Sequence, residues 1–372
     1  MFKNKVFHAS SIEVPKTLFL FFGSLLFSTL SFAEQTHFTK TLVDSQYHFD
    51  YQWLDHKKEE QSISFTLPQQ KIFDRYREFS IYQPKLAQEY VNKALNKHFR
   101  KNPVSGVQIS FKEESGYFQI QLKSQNSQLL QSTSDKVTQL EQRFNQEYLT
   151  KKYYHHFITP NLITAIKPDH GRIALESVID LKSLKPIILE KSSVKNIRKV
   201  SNFVLSFVQN IPYSTLESRI TSSGAGFSPP LKLLWENQGD CDSKVTLTAA
   251  LLRVLMPRIK LALIYIENHA FIGIKVAPQD DDITVVKNGI TYVLAEPTGP
   301  AVFALGKIAQ ESEQAIHNGH YTLETFHDIV RSEGNEQNDD EPTNELEVGL
   351  EDEVESKMLE NSMEDNALES KC

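Results

Sequence analysis

Cysteine is nearly absent from this chain. There are two in 372 residues, and the second, Cys372, is the last residue of an acidic stretch. A structural bridge between them is not expected, which leaves Cys241 as a free thiol kept for its chemistry. Long hydrophobic runs are equally scarce. One uncharged run covers residues 17–32, short of the roughly 20 residues that a bilayer span requires. No later segment approaches that length, so no membrane span is expected in the mature chain. Concentrated Lys/Arg blocks are missing as well. Residues 332–372 hold fifteen of the 47 acidic residues and two of the 40 basic ones, leaving a body with 38 basic against 32 acidic. A body that mildly basic, with no basic cluster, excludes nucleic acid as the main partner. Gly and Pro number 14 and 15, too few for a low-complexity chain.

What is present starts with an export signal. Lys3, Lys5 and Lys16 precede the uncharged run, and Ser31-Phe32-Ala33 supplies small residues at the cleavage positions. Residues 1–33 are read as a signal peptide, and the protein as periplasmic or secreted. An uncleaved N-terminal membrane anchor is the alternative.

Residues 34–185 read as a separate N-terminal α+β domain of unknown role. Tyr47, Phe49, Tyr51 and Trp53 alternate with polar residues, and Ile63, Phe65 and Leu67 repeat the pattern after a charged turn, which predicts a hairpin. Val107, Ile109 and Phe111 predict a second hairpin with Phe118, Ile120 and Leu122, through a turn ending at Gly116. Pro84 suits the first turn of a helix burying Leu86, Tyr90, Ala94 and Leu95. Another helix is expected from Ser134 or Asp135, presenting Val137, Leu140, Phe144 and Tyr148. A Lys/Ser-rich stretch at 181–195 is read as a linker. The second domain, 190–330, is also expected to be α+β. It opens with an amphipathic helix carrying Ile197, Val200, Phe203, Val204, Phe207 and Val208. After a Ser/Gly/Pro loop at 222–230 comes GDCDSKVTLTAALLRVL, a helix apolar on nearly every face from Val245 onward. Strands are predicted at 261–266, 269–276 and 292–294. Residues 332–372 form an acidic tail too poor in apolar residues to fold alone.

The chemistry concentrates in that second domain. Cys241 falls at the start of the apolar helix, where unpaired N–H groups favour a thiolate. Asp240 and Asp242 flank it and oppose the thiolate by like charge, although either can cap the helix. A base that takes the sulfur's proton is then required. His269 lies 28 residues downstream at the start of a strand that is otherwise apolar. Glu296 closes the third strand, where a carboxylate can orient the imidazole. The spacing of His317, His320 and His327 matches no standard zinc site, so no metal and no cofactor is expected.

The run Gly239-Asp240-Cys241-Asp242-Ser243-Lys244 resembles the nucleophile segment of the transglutaminase-like superfamily, closest to bacterial exported members with a GDCD-type motif. Residues 268–274 (NHAFIGI) are similar to that family's histidine strand, 292–299 (YVLAEPTG) to its third element, and 207–213 (FVQNIPY) to the run before its nucleophile loop. The resemblance covers residues 193–305. It implies a papain/transglutaminase-like core, with a nucleophile-bearing helix packed on an antiparallel sheet. It also implies acyl transfer from protein or peptide amides by Cys241, His269 and Glu296, ending in hydrolysis or transglutamination. The family's third member is usually Asp, and this chain departs with Glu296. The Cys241 backbone N–H is the natural first oxyanion donor, and Gln209 and Tyr213 are candidates for a second. A binding or assembly protein that keeps this fold without catalysis is the competing expectation.

Overall fold

A computed structural model describes residues 33–326, except 115–116, 160–161, 193–195 and 218–225. The signal segment, Gly116, part of the Ser/Gly/Pro loop, His327 and the acidic tail with Cys372 lie outside the described residues. The chain opens with a three-stranded antiparallel meander: β1 (Glu34–Val43), β2 (Gln46–Leu54) and β3 (Glu60–Pro68). Its second and third strands are the predicted hairpin. Phe49, Tyr51 and Trp53 on β2 and Ile63, Phe65 and Leu67 on β3 are all buried on one face, as period-2 alternation requires.

Then follow α1 (Gln69–Asp74), α2 (Pro84–Lys101), β4 (Gln108–Glu114), β5 (Tyr117–Lys123) and α3 (Ser127–Lys151). Strands β4 and β5 pair as the second hairpin. Helix α2 has Pro84 in its first turn, but its buried positions are Ala87, Val91, Leu95 and Phe99. Leu86 is 46% exposed, so the apolar stripe is rotated by one residue from the expected one. Phe99 is the last member of that i, i+4 series, and seating its ring against α3 fixes the rotation. Helix α3 buries Val137, Leu140, Phe144 and Tyr148 as expected, but begins one turn or more earlier, where the Asn126 side chain caps the Leu129 N–H.

Next come β6 (Tyr154–Ile158), β7 (Thr164–Pro168), α4 (His170–Ser177) and α5 (Leu184–Lys191). Helix α5 occupies the stretch read as a linker, and its Leu184 and Ile188 are fully buried. The remaining elements are α6 (Ile197–Gln209), α7 (Pro230–Glu236), α8 (Cys241–Leu255), β8 (Leu261–Ile266), β9 (His269–Ile274), β10 (Thr284–Lys287), β11 (Ile290–Ala295), α9 (Gln310–His317) and β12 (Thr322–Thr325). The last five strands form one antiparallel sheet in the order β10-β11-β9-β8-β12. The molecule is therefore α+β with antiparallel sheets, and α8 packs against β9.

The N-terminal region is not one separate body. Phe49, Tyr51, Trp53 and Phe65 share a single buried cluster with Val204 and Phe207 of α6, Leu247 and Leu251 of α8, and Ile272 of β9. Trp53 Nε1 donates to Ser206 Oγ at 3.1 Å, and Tyr51 Oη donates to the Leu234 carbonyl at 2.6 Å. By contrast, α2, α3, β4 and β5 make their own cluster around Leu95, Leu140 and Phe144. The aromatic face of the first sheet is covered by α6 and its neighbours, so this sheet shares a core with elements beyond the expected boundary near 185.

Candidate active site

Helix α8 starts at Cys241 because Asp240 stops the preceding strand-like segment and caps it. The Asp240 carboxylate accepts from the Ser243 N–H at 3.0 Å, which settles which flanking aspartate is the cap. Gly239, just before, lies alongside Tyr213: its N–H donates to the Pro212 carbonyl, and its carbonyl accepts from Ser214, both at 3.1 Å. This is the close backbone approach expected of that glycine. From Val245 to Leu252 the apolar side chains of α8 are at most 1% exposed, so the helix start is held rigidly from behind.

Strand β9 begins at His269. The Ala270 N–H is directed at the Cys241 sulfur, which puts the residue next to His269 against that thiol. Glu296 follows β11, the neighbour of β9, and its Oε1 lies 2.9 Å from His269 Nε2. Its other oxygen accepts the Ala309 N–H at 2.8 Å, so both oxygens of the carboxylate are held. With Nε2 donating to Glu296, Nδ1 is the ring nitrogen left as a base. His269 keeps 21% of its side chain exposed and Glu296 8%, so the imidazole reaches solvent while its partner stays buried.

The two oxyanion candidates separate. Gln209 is 1% exposed, and its Nε2 donates to the carbonyls of Glu296 and Phe303 at 2.8 and 3.0 Å. Both bonds brace the backbone under Glu296, which corrects the expectation that this amide serves an oxyanion. Tyr213 is 55% exposed. Partial burial first, and then the nearness of the Cys241 sulfur, raise its phenol, so it stands beside the nucleophile with its hydroxyl protonated. The Cys241 backbone N–H, in the first turn of α8, is among the donors a helix leaves unpaired.

Electrostatics at the sulfur run against the expected thiolate. Burial pushes the Cys241 thiol up to about 12, and the carboxylates of Asp242 and Asp240 add to the shift. The Asp242 Oδ1 lies 3.9 Å from the sulfur. The helix-start dipole is thus outweighed by burial and two flanking carboxylates.

Several polar residues close to the nucleophile carried no spacing signal in the sequence. Lys244 is fully buried in α8, with Nζ donating to the carbonyls of Ile211 and Gln209. Burial lowers it to about 7. A lysine inside an otherwise apolar helix was the one legible sign of such a role. His170 of α4 is 2% exposed, with Nδ1 3.0 Å from the Tyr265 hydroxyl and Nε2 3.8 Å from Asp242. Lys167 of β7 is ion-paired to Glu324 at 2.7 Å and lies over the Tyr265 ring. His317 and His320 are exposed, and among the described residues no group of three or more His, Cys, Asp or Glu side chains is arranged to hold a metal. Comparison with protein-family models, with curated proteins and with solved structures finds no match to this chain.

Proposed function

We propose that this protein is an exported thiol-dependent acyl-transfer enzyme with a papain/transglutaminase-like core, acting on protein or peptide amide bonds through Cys241, His269 and Glu296. The observation that carries the reading is the 2.9 Å contact between His269 Nε2 and Glu296 Oε1, on the strand whose Ala270 N–H meets the Cys241 sulfur. A carboxylate that fixes the Nε2–H tautomer leaves Nδ1 bare, as thiol activation requires.

Because the thiol is held protonated, attack is general-base assisted and does not start from a standing thiolate. His269 Nδ1 takes the Sγ proton as sulfur bonds to the carbonyl carbon. The carbonyl oxygen gains charge facing the Cys241 N–H and the Tyr213 hydroxyl. The tetrahedral species collapses, the C–N bond breaks, and the leaving amine takes the proton back from His269. The resulting thioester is resolved by water, or by an amine in cross-linking, with His269 again accepting the nucleophile's proton. Glu296 stabilises the transient imidazolium throughout.

The test is a thiol-selective, amide-mimicking probe applied at neutral pH to the wild type and to His269→Ala. Labelling of Cys241 in the wild type, lost in the variant, is the expected result. Equal slow labelling of both would overturn the enzyme reading. That outcome would leave the second reading, a non-catalytic binding protein on the same fold, which the raised Cys241 thiol favours.

A further inference from the structure

Asp242 sits between two groups: its Oδ1 accepts from the Cys241 thiol, and its Oδ2 faces His170 without closing to hydrogen-bond length. Its Oδ1 is 3.9 Å from the Cys241 sulfur, and its Oδ2 is 3.8 Å from His170 Nε2. That imidazole nitrogen is buried and has no hydrogen-bond partner, a costly condition for a polar atom. The other nitrogen of the ring decides which way the proton points. Tyr265, itself buried, places its hydroxyl 3.0 Å from His170 Nδ1, and because the Asp242 carboxylate faces Nε2 the favoured pairing has that hydroxyl donating to Nδ1. The ring must then carry its own proton on Nε2, aimed at Asp242. Phe227 packs on the imidazole at 4.9 Å between ring centroids and fixes its plane.

We infer that His170 is a positioning residue for the nucleophile: held in the Nε2–H tautomer by Tyr265, it draws the Asp242 carboxylate away from Cys241 and thereby governs how readily the thiol reacts. The inference rests on Cys241 being the working nucleophile, but its geometry is independent of what the acyl donor is. A short rotation of Asp242 closes the His170 contact to hydrogen-bond length and withdraws charge from the sulfur. Losing that donor returns the carboxylate to the thiol.

Other charged groups face this pair. Burial is the largest influence on Asp242 and raises its carboxyl; Lys167 of β7 and His269 of β9 favour the ionised form against it, while Glu324 of β12 opposes it. Asp240, the cap of α8, acts on the thiol in the same sense as Asp242. His155 and Lys167 both bear on His170 and keep it neutral, after the larger effect of burial. Lys167 acts on both ends of the pair, and because it is the same in every variant a cycle of changes at the two ends still isolates the Asp242–His170 interaction.

The experiment is the rate of Cys241 alkylation by iodoacetamide at pH 8 in a Cys372→Ser background, in a cycle of Asp242→Asn and His170→Phe. Asp242→Asn is expected to react about tenfold faster, since a nearby charge shifts a thiol by at least about one pH unit. His170→Phe is expected to react about fivefold more slowly, the worth of one hydrogen bond, and to have no effect once Asp242 is Asn. Tyr265→Phe keeps the ring in place and frees only the tautomer. It should slow alkylation in the same background-dependent way, and serves if the His170 variant does not fold. An unchanged or slower Asp242→Asn overturns the inference, and so does a His170 or Tyr265 effect of equal size in both backgrounds. No amide substrate enters the assay, so a chain that fails to turn over substrate still gives a decisive result here.

Discussion

At Glu296 the extra methylene, relative to the aspartate usual in the resembled family, is used in full. One oxygen reaches His269 at 2.9 Å and the other the Ala309 N–H at 2.8 Å. Glu296→Gln keeps the length and loses the charge, so turnover of an amide substrate should fall by about 100- to 10,000-fold while the fold persists. Glu296→Asp should also lose activity, because the shorter side chain cannot span both partners. A rise in kcat for the aspartate variant would show that the glutamate is a defect. Beneath the nucleophile, Lys244 and Asp240 make stability depend on pH in opposite senses. Lys244 is lowered from 10.5 to about 7, so between those values the unfolded chain binds more protons, and stability rises with pH. Asp240 is raised from 3.8 to about 7, so its contribution falls as pH rises across that window. Together the two are least favourable near neutrality. Each pH unit of the alkaline arm is worth up to about 1.4 kcal/mol for a single group. The urea midpoint of Lys244→Met should therefore rise less from pH 7 to pH 10 than that of the wild type, and equal slopes would remove the lysine from the account.

At the scale of elements, the sequence was most legible where one periodicity ran through a whole segment. The alternation in β2 and β3 and the apolar faces of α6 and α8 are cases of this. The Cys241-His269-Glu296 order was legible because each residue stands at an element terminus. Other elements hid themselves for physical reasons. Strand β1 has no buried residue to mark a face, since it rests on the edge of the first sheet through backbone pairing. Strands β6 and β7 are five residues each, too short to show a period. His170, Tyr265 and Asp242 come from three separate elements, so only the packing of α4 against α8 brings them together. The loop after β11 offers a test of how tightly such packing is set. A Cβ on Gly299 would lie 2.7 Å from the Gln209 carbonyl, which is backbone and cannot swing aside. Gly299→Ala should push that loop off α6, at a cost of about 1–3 kcal/mol. It should also lower kcat by displacing Glu296, whose own carbonyl is bonded to the Gln209 side chain. A variant with full activity and an unchanged thermal midpoint would mean the loop adjusts freely.

For the whole molecule, the first sheet acts as the outer wall of the region that bears Cys241. Trp53 is 1% exposed, stacked edge-on against Phe203 at 5.6 Å and tilted against Phe207 at 5.3 Å. Those two residues lie on α6, whose C-terminal Gln209 braces Glu296. A continuous path of packed side chains therefore runs from the N-terminal strands to the backbone of Glu296. Trp53→Ala should cost about 3–5 kcal/mol, the usual penalty for emptying a buried aromatic site. If the wall and the site were separate domains, that loss would appear as an early transition of residues 34–68, with Cys241 still protected. Because they share one core, the urea curve should keep a single transition at lower midpoint. Rapid alkylation of Cys241 should begin in that same transition. Loss of far-UV circular dichroism amplitude at lower urea than the onset of alkylation would instead restore the two-domain division.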